Sequence, residues 1–116
     1  MSVRRWSMWL ADLDPVVGSE QGKKRPVLVV SSTRLNDILP VVNVLPVTSR
    51  KSNRRVYPNE ALLPSGMAGL TKDSIVLCYQ IRTIDKQRLA REFGTLDDIQ
   101  LRQVVLDALS FQLGLS

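Results

Sequence analysis

Gly18-Ser19-Glu20-Gln21-Gly22-Lys23-Lys24-Arg25-Pro26 runs straight into Val27-Leu28-Val29-Val30-Ser31, and this junction decides how the chain reads. The second part, Pro26 to Ser31, is a β-branched run short enough to be a strand buried on both faces. The first part is a polar turn bracketed by two glycines, followed by three consecutive cations. Backbone amides beside glycine can approach a phosphate closely. Arg25 stands where Pro26 fixes its neighbour and the sheet begins, so its side chain is aimed from a firm base. Neither nucleotide-phosphate fingerprint, GxxxxGK[ST] or GxGxxG, is present. The plain alternative is a solvated hairpin turn with surface cations.

Outward from this junction the signals are mostly those of strands. Trp6 to Leu13 alternates as a half-buried strand would, and Asp14-Pro15 through Gly22 is a turn region. Thr33 to Leu39 can hold a helical turn that Pro40 stops. Val41 to Thr48 reads as a strand, with Pro46 arguing for an edge or a bulge. Ser49 to Pro58 is a loop carrying Arg50, Lys51, Arg54 and Arg55 without an acid. Glu60 to Leu63 and Ser74 to Arg82 read as strands, and Leu89 to Gly94 as a short strand or a turn. Thr95 is the expected N-cap of a closing helix, with acids in its first turn. Leu101, Val104, Val105, Ala108, Leu109 and Leu113 give that helix a face to pack, and Gly114 ends it. The expectation is a mainly β domain over 1–116: a small, strongly bent antiparallel sheet or partial barrel, capped by a C-terminal helix.

Composition narrows the chemistry. A chain of 116 residues has room for one core. No apolar run approaches the roughly 20 residues of a membrane-spanning helix. Met1 to Asp14 reads as a strand with Asp12 and Asp14, so no secretory signal is expected and a cytoplasmic location follows. Residues 1–55 hold 10 basic and 4 acidic side chains, a net of +6, while residues 56–116 hold 6 and 7, a net of −1. A basic half suggests an anionic partner, with nucleic acid first. The chain has no histidine, so the usual proton shuttle and the commonest catalytic-zinc ligand are both missing. The single cysteine, Cys78, excludes an internal disulfide and a cysteine-cluster metal site, and reads as a small buried strand residue. Catalysis here must run on carboxylates, Arg, Lys, Thr, Ser or Tyr, with no metal and no cofactor expected.

Two further segments carry candidate chemistry. Pro46-Val47-Thr48-Ser49 brings hydroxyls to a strand end beside the basic loop, where they can donate to a phosphoryl oxygen or simply form a turn. In Gln80-Ile81-Arg82-Thr83-Ile84-Asp85-Lys86 strand alternation puts Gln80, Arg82 and Ile84 on one face. Arg82 and Asp85 can also pair with each other, or Asp85 can cap a turn.

Several blocks in order carry a family resemblance. Ala11 to Gly22 with Arg25 to Val30, then Val44 to Thr48, Gly69-Leu70 with Asp73 to Val76, Gln80 to Leu89 and the closing helix resemble the MazF/PemK/Kid toxins over nearly the whole chain. The resemblance implies an SH3-like barrel with a C-terminal helix, assembled as a two-fold homodimer. It also implies a toxin that cleaves single-stranded RNA at short motifs without a metal, held by an antitoxin whose acidic, disordered tail covers the basic groove. The family's catalytic pair falls on Arg25 and Thr48. Its RNA-contacting turn falls on Ser19 to Arg25, including Glu20, Gln21, Lys23 and Lys24, with Ser49, Arg50, Gln80 and Arg82 as further RNA contacts.

RNA supplies its own nucleophile, the 2′-hydroxyl. A guanidinium such as Arg25 suits the charge that gathers on the phosphorane, whereas by its chemistry it is a poor base. Glu20 is the reserve base, or a turn acid shielding nearby lysines. Some family members carry an acid where this chain has Tyr79, so a carboxylate role there is absent. Tyr79 can stack on a base or sit in the core. The rival readings are a gyrase-poisoning toxin of the CcdB type and a binder of nucleic acid without catalysis.

Overall fold

The computed structural model describes residues 2–115. Met1 and Ser116, the ends of the domain expected over 1–116, lie outside the described residues. The elements in chain order are β1 (Ser7–Asp12), β2 (Lys24–Val29), α1 (Thr33–Ile38), β3 (Val41–Ser49) and β4 (Glu60–Leu63). They continue with β5 (Ser74–Leu77), β6 (Arg82–Asp85), β7 (Leu89–Thr95) and α2 (Ile99–Leu113). The strands form one antiparallel seven-stranded sheet in the order β4-β5-β3-β2-β1-β7, with β6 also paired to β3. The mainly β class with a closing helix is as the sequence predicts.

The apolar run of β2 is buried on both faces because the sheet is covered on both. Met8, Leu28, Leu45 and Val47 pack to one side with Val105 and Ala108 of α2. Trp9, Ala11, Val27, Val29, Val42 and Val44 pack to the other with Val3, Leu13, Ile84 and Leu89. Each fully buried aliphatic side chain contributes about 2 kcal/mol.

The bend of the sheet closes at a glycine seam. A Cβ at Gly94 in β7 would stand 2.0 Å from the Ala68 carbonyl oxygen. One at Gly69, whose φ is +79°, would stand 2.4 Å from the Phe93 carbonyl oxygen. Two backbones therefore touch where β7 meets the short turn Met67–Gly69, and only glycine permits that approach.

Four local expectations are corrected. Pro46 is neither on an edge nor in a bulge. It sits in β3 opposite Val27, at the step where the other neighbour of β3 changes from β6 (up to Val44) to β5 (from Val47). No ladder partner on that side requires its missing N–H. Ser74 to Arg82 is two strands broken by a 3₁₀ turn at Cys78–Gln80, at the same change of partner. Alternation therefore does not carry from Gln80 to Ile84, and Cys78 lies on that turn, not on a strand.

Thr95 does not cap α2, because it still pairs with Ser7 and Leu96 N–H donates to the Trp6 carbonyl at 2.8 Å. Asp98 is the first free acceptor and takes the Leu101 N–H at 2.9 Å. Val104 and Leu113, expected on the packed face of α2, are exposed. Gly114 ends the helix in the left-handed conformation, φ +69°.

The basic loop after β3 is not free of acid in space. Arg54 grips the buried Glu60 carboxylate through both terminal nitrogens, at 3.0 and 2.8 Å, and Tyr57 N–H donates to it at 3.1 Å. The Arg54 hydrogen bonds hold the Glu60 carboxyl below its ordinary value of 4.5, against the opposing effect of burial. A depressed carboxylate stabilises the fold above its unfolded pKa, and that stability is lost as pH falls from about 4.5 through the folded value. Arg54→Ala is expected to cost about 3 kcal/mol at pH 7 by urea unfolding, since it leaves a buried charge unpaired. In Glu60→Gln, the loss of stability between pH 5 and 3 should be shallower than in the parent chain. An unchanged acid slope would mean that Glu60 is not the titrating group.

Candidate functional site

The connection between β1 and β2 is held in one shape along its whole length. Leu13 N–H donates to the Lys23 carbonyl at 2.9 Å, and Lys23 N–H to Asp14 Oδ1 at 2.8 Å. Gly22 lies against Asp14, where a Cβ would meet the carboxylate oxygen at 2.5 Å. The second glycine of the turn is thus fixed by close approach. Glu20 accepts the Val17 N–H at 2.5 Å, so its carboxylate closes its own turn.

Three side chains from β6 and its flanking turns hold this connection from outside. Gln80 accepts the Gln21 N–H at 2.8 Å and donates to the Ser19 carbonyl at 3.3 Å. Arg82 donates to the Leu13 carbonyl at 3.2 Å. Arg88 donates to the carbonyls of Asp12 and Asp14. Asp85 caps the following turn at Gln87 N–H, 2.8 Å away, and makes no pair with Arg82.

Arg25 and Thr48 stand on adjacent strands. The β2–β3 pairing ends at Val27 and Pro46, and Arg25 and Thr48 each lie two residues beyond that last pair, at the same end of the two strands, where both line one cleft. Arg25 Nε donates to the Gly22 carbonyl at 3.1 Å, which orients the guanidinium. Among the described residues its two terminal nitrogens carry no hydrogen bond, so the planar fork is available to a ligand. Arg25, Thr48 and Ser49 line a cleft of about 220 Å³, together with Thr71, Lys72 and Ser74. Gly69 and Phe93, from the glycine seam, form part of its wall. The residues lining it offer two cations and four hydroxyls and no carboxylate. Such a cleft suits one phosphodiester with a doubly hydrogen-bonded oxygen pair.

A second hollow, of about 330 Å³, is lined by Ser19, Glu20, Tyr79, Gln80, Ile81 and Arg82. The structure thus divides the candidates. Arg25, Thr48 and Ser49 share the first cleft, and Ser19, Glu20, Gln80 and Arg82 share the second. Lys23 and Lys24 are exposed nearby, and Lys24 stands opposite Asp12 in the β1–β2 register. Gln21 is half-buried, with its side-chain oxygen enclosed and unpartnered among the described residues. Arg50 lines neither hollow. Its Nε donates to the Arg54 carbonyl at 2.8 Å, and its N–H to the Asp73 carbonyl at 2.8 Å.

Tyr79 is 42% exposed and lies outside the core. It also borders an apolar hollow with Tyr57 and Phe111. Sequence reasoning missed Thr71 and Lys72, which lie between two recognised blocks in the acidic half of the chain. Cys78 is buried, with its thiol 3.8 Å from the Val105 carbonyl. Burial, with a smaller push from the charge of Glu60, raises that thiol to about 12, so it takes no part as a thiolate.

No helix among the described residues is long and apolar enough to cross a membrane. The family model described as PemK-like, MazF-like toxin of type II toxin–antitoxin system matches residues 4–111. Endoribonuclease EndoA of Bacillus subtilis is 40% identical over 115 residues, covering 99% of this chain and 97% of that protein. A crystal structure of MazF from Deinococcus radiodurans superposes with a TM-score of 0.82 at 27% identity, covering 98% of each chain. The MazE–MazF complex from the same organism gives 0.77 at 28% identity, covering 100% of this chain and 99% of that one.

Proposed function

Since the chain belongs to the PemK-like, MazF-like toxins of type II toxin–antitoxin systems and is an endoribonuclease, we propose that it cuts single-stranded RNA at short sequence motifs without a metal. The observation that carries this reading is the acid-free cleft in which Arg25 and Thr48 face the same space. The RNA 2′-hydroxyl loses its proton to water as its oxygen bonds the adjacent phosphorus, the bond to the 5′-oxygen breaks, and that oxygen takes a proton from water, leaving a 2′,3′-cyclic phosphate and a 5′-hydroxyl. Arg25 holds two phosphoryl oxygens as negative charge builds on them, and Thr48 adds a neutral hydrogen bond. Glu20 lines the other hollow and is engaged with Val17, which argues against it as the base in the Arg25 cleft. Alignment of the 2′-oxygen with the leaving group and fixed positive charge supply most of the rate.

The second hollow, bordered by Ser19, Gln80 and Arg82, receives a neighbouring nucleotide in this reading, with Tyr79 open to stack on a base. Gln21, Lys23, Lys24, Ser49 and Arg50 flank the path of the strand. We read residues 1–116 as one toxin domain acting in the cytoplasm as a homodimer. The partner in such a pair is an antitoxin, as in the Deinococcus MazE–MazF complex. Its covering segment is acidic and disordered in this proposal, matched to the basic half of this chain.

The test is digestion of a mixed RNA pool by the purified protein in EDTA, with the ends of every fragment mapped. Cuts within one short motif, leaving cyclic phosphate, are expected. Cleavage that needs added divalent metal, or cuts without a common motif, overturns the reading.

A further inference from the structure

The Arg25 cleft contains a second cation that neither the charge distribution nor the motif blocks single out. Lys72 lines it together with Arg25 and Thr48. The turn that carries it is held by hydrogen bonds at Lys72 and at both of its neighbours. The Lys72 carbonyl accepts the Ser74 hydroxyl at 2.8 Å, and the preceding Thr71 carbonyl accepts the Ser65 hydroxyl at 3.0 Å. The following residue, Asp73, turns its carboxylate to Ser65 N–H at 2.8 Å and its carbonyl to Arg50 N–H at 2.8 Å. The neighbouring acid is therefore turned to Ser65 and forms no ion pair with the lysine. Among the described residues Lys72 forms no ion pair. A fixed backbone, an exposed side chain without an ion pair and a cleft without acids together describe a phosphate contact.

We infer that Lys72 is a second RNA-contacting cation of this cleft, binding the phosphodiester backbone that Arg25 holds. The inference rests on the endoribonuclease reading above and deepens it. Lys72 is placed on the backbone phosphate next to the scissile one, whose charge does not change during the reaction, so its ammonium holds the ground and transition states equally. It therefore acts on binding, and the chemical step is left to Arg25 and Thr48.

The experiment compares the parent chain with Lys72→Gln and Lys72→Arg. Binding is measured to an RNA whose cleavage-site 2′-hydroxyl is replaced by hydrogen, and cleavage is measured on the matching ribose substrate. Lys72→Gln should weaken binding about tenfold, raise KM with kcat unchanged, and leave the melting temperature of this exposed position unmoved. The slope of log affinity against log salt should become shallower by about 0.7, one contact on a single strand. Lys72→Arg should restore both affinity and slope. Parent-like binding and slope in Lys72→Gln overturns the inference, as does a fall in kcat with KM unchanged. A parent chain that neither binds nor cuts any RNA overturns instead the reading on which it rests.

Discussion

Arg25→Ala is expected to lower kcat/KM for RNA cleavage by about a thousandfold, the scale for losing the main donor to a charge that develops in the transition state. The loss should fall on kcat, since charge on the phosphoryl oxygens grows toward the phosphorane. Arg25→Lys should recover only part of it, because a point charge cannot bridge two oxygens. Folding should be nearly unaffected. The one hydrogen bond recorded for the side chain runs to the Gly22 carbonyl, and losing it costs about 1 kcal/mol. Single-turnover cleavage and urea unfolding of the same preparations separate the two quantities. A variant that cuts within tenfold of the parent would show that the centre lies elsewhere.

Gly94→Ala is expected to cost more than about 4 kcal/mol, because a side chain atom would have to enter space already filled by backbone. Its Cβ would meet the Ala68 carbonyl oxygen at 2.0 Å and the Gly69 nitrogen at 2.9 Å, and neither can swing aside as a flexible side chain could. Gly66→Ala is the control: its φ of +94° strains an alanine, yet nothing lies within 4 Å of the new atom. It should cost about 1–2 kcal/mol. Unfolded or insoluble Gly94→Ala beside a folded Gly66→Ala is the expected pair of results. A Gly94→Ala chain within 1 kcal/mol of the parent by urea unfolding would mean that the seam can open without loss. Because Gly69 and Phe93 wall the Arg25 cleft, a strained seam should also disturb cleavage.

Much of this architecture is legible in the sequence, and the residues that were not share a cause. Short apolar runs and their breakers mark β1, β2, β3, β4 and α2, because hydrophobic periodicity is local information. The break at Cys78–Gln80 is invisible locally, since it exists to let β3 exchange one partner for another. Thr95 resembles a cap in every local respect, and only its pairing with Ser7 keeps it in the sheet. Arg54 reads as one of four loop cations until the fold brings Glu60 beneath it.

The candidate site divides in the same way. The turn around Gly22 and the aim of Arg25 follow from glycine, proline and charge. The meeting of Arg25 with Thr48 depends on strand register, so spacing alone did not supply it and the family resemblance did. Gln80 and Arg82 read as RNA contacts from their position in a motif. Their recorded hydrogen bonds go to the backbone of the β1–β2 connection, a role that no sequence pattern encodes. Lys72 stays hidden in a half of the chain whose net charge is negative.

Cys78 gives the molecule one more property. It is the sole thiol in the chain, sealed beneath α2 beside Val105 and kept protonated. A thiol-labelling reagent can reach it only when the helix and the β5 turn part, so the labelling rate counts those openings. The native sequence thus carries its own clock for breathing at the helix, with no probe added. Run with and without a bound antitoxin, that clock would report whether the partner tightens or loosens the toxin's core.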